Sequence, residues 1–256
     1  MAKTTLVRKL GRWGARRLLA RLHRVTHRMP IELRQIEPGR VLVVAPHMDD
    51  EVIGPGGTLL LHKQTGSQLS VVFVSDSAGD PSQTGISSET TRRKLEAQTA
   101  AEYVGFELVR FLDYADGKLS LRESRIAYDL AILLDEWQPT TIFCPFPTDH
   151  HRDHQATSAA LATAIGRADW HGDVWGYEVW STLWPNAAID ISEVVEKKRA
   201  AISCHASQVA NMAYVEAALG LNRYRGLRVG VPFAEAFYVC GEADFIELTE
   251  ELLLRV

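Results

Sequence analysis

Past Pro30 the chain alternates between short, largely apolar runs and longer segments with helical spacing. Val41–Ala45, Leu69–Ser75, Leu108–Leu112 and Thr141–Cys144 are such runs, and Val174–Trp180 and Ala236–Cys240 read as two later strands. Between them Gly57–Gln64, Ser88–Val104, Ser124–Trp137, Gln155–Ile165 and Ser192–Cys204 carry helical patterns. A strand that is apolar at every position must be covered on both faces, and the intervening helices supply that cover. The pattern therefore predicts an α/β fold: a Rossmann-like three-layer sandwich around a mostly parallel central sheet. No internal repeat or low-complexity tract interrupts it. The polar stretch Gly79–Ser88 reads as a loop able to line or cover a site.

The first 30 residues follow a different rule. Leu6, Leu10 and Trp13 fall at i, i+4 and i+7, and Leu18, Leu22, Val25 and Met29 repeat that spacing on a rotated face. Residues 1–29 hold nine of the 28 Lys and Arg residues and no acid, so a basic amphipathic arm (1–30) precedes an acidic body (31–256). Three uses of the arm stand side by side: packing on the domain or on a second subunit of a homo-oligomer, lying on anionic lipid, or organelle targeting. At 256 residues and 46% hydrophobic, the chain has enough apolar material for one core, so one catalytic-sized domain is expected after the arm. Its three cysteines form no CxxC pair and no even set, which argues against a disulfide framework or a cysteine-based metal site. No apolar run is long enough to span a membrane, and no secretory signal is apparent. A cytoplasmic location fits, with peripheral contact at the inner membrane face left open. No nucleic-acid partner is expected.

Chemistry concentrates at two strand ends. Ala45–Gly57 follows the first strand and crowds His47, Asp49, Asp50 and Glu51 together. Carboxylates this close repel unless a cation offsets them, although an acid at a helix start also satisfies free N–H groups. Pro145–Thr157 follows the fourth strand and holds Asp149, His150, His151, Asp153 and His154. His151 and His154, at i and i+3, share one side of a helical first turn. In a parallel sheet both segments reach the same edge, where ligands bind. Two imidazoles and a carboxylate make a divalent-cation site with an open position for water. Zinc suits it best, with iron(II), manganese or cobalt as alternatives. A second carboxylate nearby could take the water's proton, and no GxSxG elbow suggests a serine nucleophile instead. Gly54-Pro55-Gly56-Gly57 does not fit GxGxxG, so a nucleotide-binding regulatory domain is the weaker reading.

His47-Met48-Asp49-Asp50-Glu51 resembles the H-P-D-D-E signature of the LmbE/PIG-L-like zinc-dependent deacetylases, and His151-Arg152-Asp153-His154 resembles that family's H-P-D-H signature. Similarity continues through Gly56–Leu59, Arg93–Glu96, Asp116–Leu119, Tyr177–Trp180, Lys198 to His205–Gln208, Tyr224–Gly226 and Ala234–Phe237. The resemblance implies zinc held by His47, Asp50 and His154, with Asp49 as general base. It further implies that His151, not His150, stabilises or protonates the tetrahedral intermediate, and that Asp153 orients a histidine. Arg93 and Asp116 would lie near the sugar. The implied reaction removes an N-acyl group, usually acetyl, from an amino-sugar substrate, with a thiol conjugate or another non-sugar N-acyl compound as the alternative; the basic arm and Arg152 point toward lipid-linked or phosphorylated N-acetylglucosamine. Loops such as Gly79–Ser88 and Thr182–Ile189 would select the sugar and acyl group. The prolines of both signatures are replaced, by Met48 and Arg152, and neither position ligates metal. Arg152 adds a cation that would favour an anionic substrate. Asp149 stands where some members carry an oxyanion-donating tyrosine, so that stabilisation falls to the metal and His151.

Overall fold

The computed structural model describes residues 31–79 and 86–253; the expectations for the basic arm and for most of the Gly79–Ser88 loop lie outside them. Among the described residues, eight strands form a single sheet in the order β1-β7-β8-β6-β5-β2-β3-β4. The centre is parallel: β2 (Arg40–Ala45) lies between β5 (Thr141–Pro145) and β3 (Gln68–Ser75), with β4 (Leu108–Tyr114) beyond β3 and β6 (Asp173–Tyr177) beyond β5. β8 (Ala234–Gly241) runs antiparallel between β6 and β7 (Ala187–Asp190), and β1 (Glu32–Arg34) closes the edge.

Two apolar layers sandwich the sheet. Along β2 the side chains alternate: Val41, Val43 and Ala45 enter one layer, Leu42 and Val44 the other. The first layer is closed by α2 (Gly56–Gln64), α3 (Ile86–Val104), α6 (Val195–Ser203) and α8 (Tyr214–Val229). The second is closed by α4 (Glu123–Trp137), α5 (Arg152–Ala168) and α9 (Glu242–Leu253). The short helices α1 (Asp50–Ile53) and α7 (Ala206–Val209) carry Asp50, Ile53 and Gln208 to the site, while Val52 and Val209 join the first layer. Fully buried side chains such as Leu42, Phe73, Phe143 and Ile126 contribute about 1.5–3 kcal/mol each, which makes this sheet a rigid platform.

The expected three-layer architecture is present, with local differences. The strand expected over Val174–Trp180 stops at Tyr177, because Glu178 turns inward to pair with Arg225 and the Trp180 N–H donates to Asp149. β7 overlaps the end of the stretch expected as the loop Thr182–Ile189 and continues to Asp190. Helix α5 begins at Arg152, three residues before the expected start, because the His151 imidazole caps it by accepting the Asp153 N–H at 3.3 Å. Strand order reverses between β2 and β5, so the switch point where α/β sheets bind ligands lies between the two segments that carry the chemistry.

Candidate active site

Registered pairing of Val41–Val43 with Thr141–Phe143 brings the carboxyl ends of β2 and β5 side by side. The three consecutive acids that follow β2 then part in three directions. Asp50 Oδ2 accepts the His47 backbone N–H at 2.9 Å and lies 3.3 Å from His47 Nδ1 and 3.2 Å from His154 Nε2. Asp49 faces Arg93, whose Nη2 donates to its Oδ2 at 3.2 Å. Glu51 turns into the interior, where Oε2 accepts the Asp49 N–H at 2.9 Å and Oε1 meets His205 Nε2 at 2.8 Å. Helix capping does not explain the cluster, since the Asp49 side chain makes no capping hydrogen bond to α1.

The backbone around Asp49 is held against its preference. Asp49 has φ 152° and Ser77 φ 50°, conformations that side-chain-bearing residues rarely adopt. The two are clasped together. Met48 N–H donates to Ser77 Oγ at 3.0 Å, and Arg93 donates to the carbonyls of Met48 (2.6 Å) and Ser77 (3.2 Å). Arg93 is buried and most of its donors are committed to this clasp, so it positions Asp49 while still lining the pocket.

Each histidine near Asp50 has a carboxylate behind it. His47 Nε2 lies 3.2 Å from Asp116 Oδ1 and 3.4 Å from Asp153 Oδ2, and His154 Nδ1 lies 3.5 Å from Asp149 Oδ2. Those carboxylates are themselves anchored. Asp153 accepts the N–H groups of Gly117 (2.7 Å) and Leu119 (3.2 Å), Asp116 that of Gly79 (3.0 Å), and Asp149 those of His151 (2.9 Å) and Trp180 (3.0 Å). Such backing carboxylates fix ring orientation and raise imidazole basicity in metal sites.

The donor set fits a divalent cation. His154 is buried, yet neither ring nitrogen makes an aligned hydrogen bond to a described residue. Ligands about 2.0–2.2 Å from a tetrahedral cation lie roughly 3.3 Å apart. The separations of 3.3 Å and 3.2 Å around Asp50 Oδ2 match that edge length. Two overlapping groups also bring donors within 4.8 Å: His47 with His151 and His154, and His47 with Asp116 and Asp153. In the latter both carboxylates meet the far nitrogen of His47, Nε2, and also accept backbone N–H groups. In the former, His151 Nδ1 is occupied by the Asp153 N–H. The set joined through Asp50 shares His154 with the three-histidine group and adds an anionic ligand at 3.2 Å and 3.3 Å from the two imidazoles.

Electrostatics separates the roles further. Burial pushes the Asp49 carboxyl up to about 6, against the opposing charge of Arg93. Asp50 moves the other way: burial disfavours its charge, but His154 and His47 hold it well below the usual carboxylate range. Asp116 falls to about 2, the His47 hydrogen bond outweighing burial. Burial opposes protonation of His47, yet hydrogen bonds to Asp116, Asp153 and Asp50 raise it well above the ordinary value. His154 rises to about 9 because Asp50 and Asp149 outweigh burial. His151 is lowered, first by burial and then by the charges of His47 and His154. As the cap of α5 it also faces the positive end of a helix dipole, which disfavours the imidazolium further.

These groups surround a polar cavity of about 140 Å³ at the edge of the sheet. His47, Asp49, Asp50, Arg93, Asp116 and His151 form its polar wall. Ile53, Val179, Trp180, Gln208 and Tyr214 complete it. His151 sits edge-on to His47, with ring centroids 4.8 Å apart. His150 is exposed, its N–H bound to Ser181 Oγ at 2.8 Å. Arg152 is also exposed and is not among the lining residues, so the structure does not bring it to the pocket. The sequence reading gave no site role to Trp180, Gln208 or Tyr214. The first two lie inside resembling motifs, whereas nothing near Tyr214 marked it.

Two carboxylate-backed imidazoles, an ionised carboxylate between them and a second carboxylate facing the same cavity define the class of metal-dependent hydrolases that need no side-chain nucleophile. Comparison with known proteins narrows the class. The family described as PIG-L, GlcNAc-PI de-N-acetylase, matches residues 42–165. A Bacillus cereus protein named "Probable N-acetyl-alpha-D-glucosaminyl L-malate deacetylase 2" is 30% identical over 192 residues, covering 67% of this chain and 84% of that protein. Diacetylchitobiose deacetylase of Thermococcus kodakarensis is 26% identical over 187 residues, 66% of this chain and 70% of that protein. The solved N,N'-diacetylchitobiose deacetylase of Pyrococcus horikoshii shares the fold with a TM-score of 0.71 at 23% identity, over 80% of this chain and 85% of that one. The chain belongs to the PIG-L family within the LmbE/PIG-L superfamily, a family of metal-dependent deacetylases, hydrolases acting on amide bonds.

Proposed function

We propose that this protein is a zinc-dependent amidase that hydrolyses the N-acetyl group of an amino-sugar substrate, with His47, Asp50 and His154 as the metal ligands and Asp49 as the base. One observation carries the reading: Asp50 Oδ2 lies within 3.3 Å of both His47 Nδ1 and His154 Nε2, the latter making no aligned hydrogen bond to a described residue, and Asp49 faces the same cavity. The amino sugar is supported by the names of the relatives, two of which are deacetylases of N-acetylglucosamine compounds or diacetylchitobiose. Those names favour it over a thiol conjugate. Two imidazoles and a carboxylate favour zinc over iron(II), manganese or cobalt.

Zinc bound there supplies a Lewis acid for the carbonyl and water of near-neutral acidity. Asp49, tied to Arg93, accepts the proton of the attacking water as the new C–O bond forms. With its carboxyl pushed up to about 6 by burial, it is ionised at neutral pH and basic enough for that transfer. His151 accepts the Asp153 N–H on Nδ1, which leaves its proton on Nε2 as a neutral hydrogen-bond donor to the oxygen of the tetrahedral adduct. The resemblance implied stabilisation or protonation by this residue; the lowered basicity of its ring supports the donor role alone. Asp49 then returns the proton to the nitrogen, the C–N bond breaks, and acetate and a free amine result.

The test is acetate release from N-acetylglucosamine, its phosphate, its lipid-linked form and diacetylchitobiose, with each metal added to chelator-treated protein. Turnover of at least one sugar restored best by zinc supports the reading; release from none of them refutes it. The basic arm supports a lipid-proximal substrate. Vesicle flotation of full-length and arm-deleted chains should differ on anionic lipid, and equal flotation would remove that element.

A further inference from the structure

A second cavity, of about 300 Å³, opens beside the polar pocket and shares Ile53, Val179, Trp180 and Tyr214 with it. Its far wall is the start of α8 and the turn before it, through Met212, Ala217, Ala218 and Leu221. Two acids border it, and both are already neutralised. Glu178 is paired with Arg225, whose Nε donates at 3.0 Å. Glu235 is met by Lys198 Nζ at 2.6 Å and by the N–H groups of Gly57 and Thr58, each at 2.7 Å. The cavity is thus apolar in effect, although its walls include two carboxylates.

Asn222 is the exception. It lines this cavity, is 5% exposed, and its Oδ1 has no hydrogen-bond partner among the described residues. A buried amide oxygen is costly to leave unpaired, so such a group in a ligand-sized space points to a donor that arrives with the ligand.

We propose that this cavity is a substrate subsite. It takes an apolar group of short-chain or single-ring size joined to the amino sugar, and Asn222 Oδ1 accepts a hydrogen bond from a donor on that group. The group has two sources, an acyl chain longer than acetyl or an apolar aglycone, and both meet the same walls. This inference rests on the amidase reading of the adjoining pocket.

Two substrate series separate the sources: glucosamine N-acylated from acetyl to hexanoyl, and N-acetylglucosaminides with aglycones from methyl to hexyl. In one series kcat/KM is expected to rise about fourfold per added methylene (about 0.8 kcal/mol) until the cavity is full. Ala217→Leu and Ala217→Trp fill the space, and each should flatten that slope, read as the long-to-short ratio within the variant so that altered folding or turnover cancels. A terminal hydroxyl on the longest chain should improve kcat/KM in the wild type and lose that advantage in Asn222→Leu. Flat series in both arms, or a slope that survives Ala217→Trp, would overturn the proposal. An unchanged hydroxyl preference in Asn222→Leu would remove Asn222 from it. No product from even the acetyl and methyl members would count against the amidase reading instead. Calorimetric binding of the methyl, hexyl and hexanoyl compounds to the metal-depleted full chain then decides the subsite without turnover: tighter binding of a long member supports it, and equal affinity overturns it.

Discussion

Asp149→Asn isolates the carboxylate behind His154 without changing its volume. Asp149 is 2% exposed and serves three groups: Oδ1 takes the His151 N–H, while Oδ2 takes the Trp180 N–H and faces His154 Nδ1 at 3.5 Å. An asparagine amide offers only one acceptor oxygen. With that oxygen on His151, the –NH2 opposes the Trp180 N–H and no longer presents an anion to His154. With it on Trp180, the His151 N–H is orphaned and α5 loses the fixed geometry of its cap. Either orientation strands one buried donor, at a cost of about 1–3 kcal/mol of stability. Removing a carboxylate that backs a ligand histidine typically weakens metal binding 10–100-fold, about 1.4–2.7 kcal/mol. The assay is the zinc dissociation constant by competition with a chromophoric chelator, with urea unfolding measured in parallel. A folded Asp149→Asn protein that binds zinc within twofold of wild type would refute the role given to Asp149, and with it the choice of His154 as a ligand.

Lys198→Met should cost about 3–5 kcal/mol in urea unfolding, because it strands Glu235 in a site where Lys198 is fully buried and also holds the Gly54 carbonyl at 3.0 Å; a loss below 1 kcal/mol would contradict that. Burial lowers His62 to about 4, so the unfolded chain takes up a proton near pH 6.5 that the folded chain refuses until about pH 4. Stability should therefore fall by up to about 3 kcal/mol as pH drops through that window, and His62→Gln should remove that part of the slope. kcat/KM should fall on the acid side as Asp49 takes up its proton at about 6 or lower, a bound cation shifting the limb downward; an acid limb well above pH 7 would exclude Asp49 as its source.

The central strands were legible because both faces of each are buried: Val41–Ala45, Leu69–Ser75 and Thr141–Cys144 stand within one residue of the observed limits. The two short strands at the β1 end of the sheet were not. β1 and β7 have three and four residues, too few to show a period. Helix α8 was hidden because its buried face mixes Val215, Ala218 and Leu219 with Asn222 and Arg225, polar residues whose burial depends on distant structure such as Glu178. The cluster of His47, Asp49, Asp50, His151, Asp153 and His154 could be read because it lies within two short segments at strand ends. The backing of His47 by Asp116, the grip of Arg93 on Asp49 and the approach of Tyr214 all join segments far apart in the chain. Only the folded geometry shows them. Arg152, adjacent in sequence to His151, is exposed and outside the lining of the polar cavity, because neighbouring helical positions lie on different faces.

The most direct test is acetate release by Asp49→Asn at one bound zinc per chain, measured on the sugar the wild type turns over best. The expected result is a loss of about 10²–10⁴-fold in kcat with metal content unchanged. A folded, zinc-loaded Asp49→Asn protein that keeps wild-type turnover would contradict the assignment of Asp49 as the base at this centre.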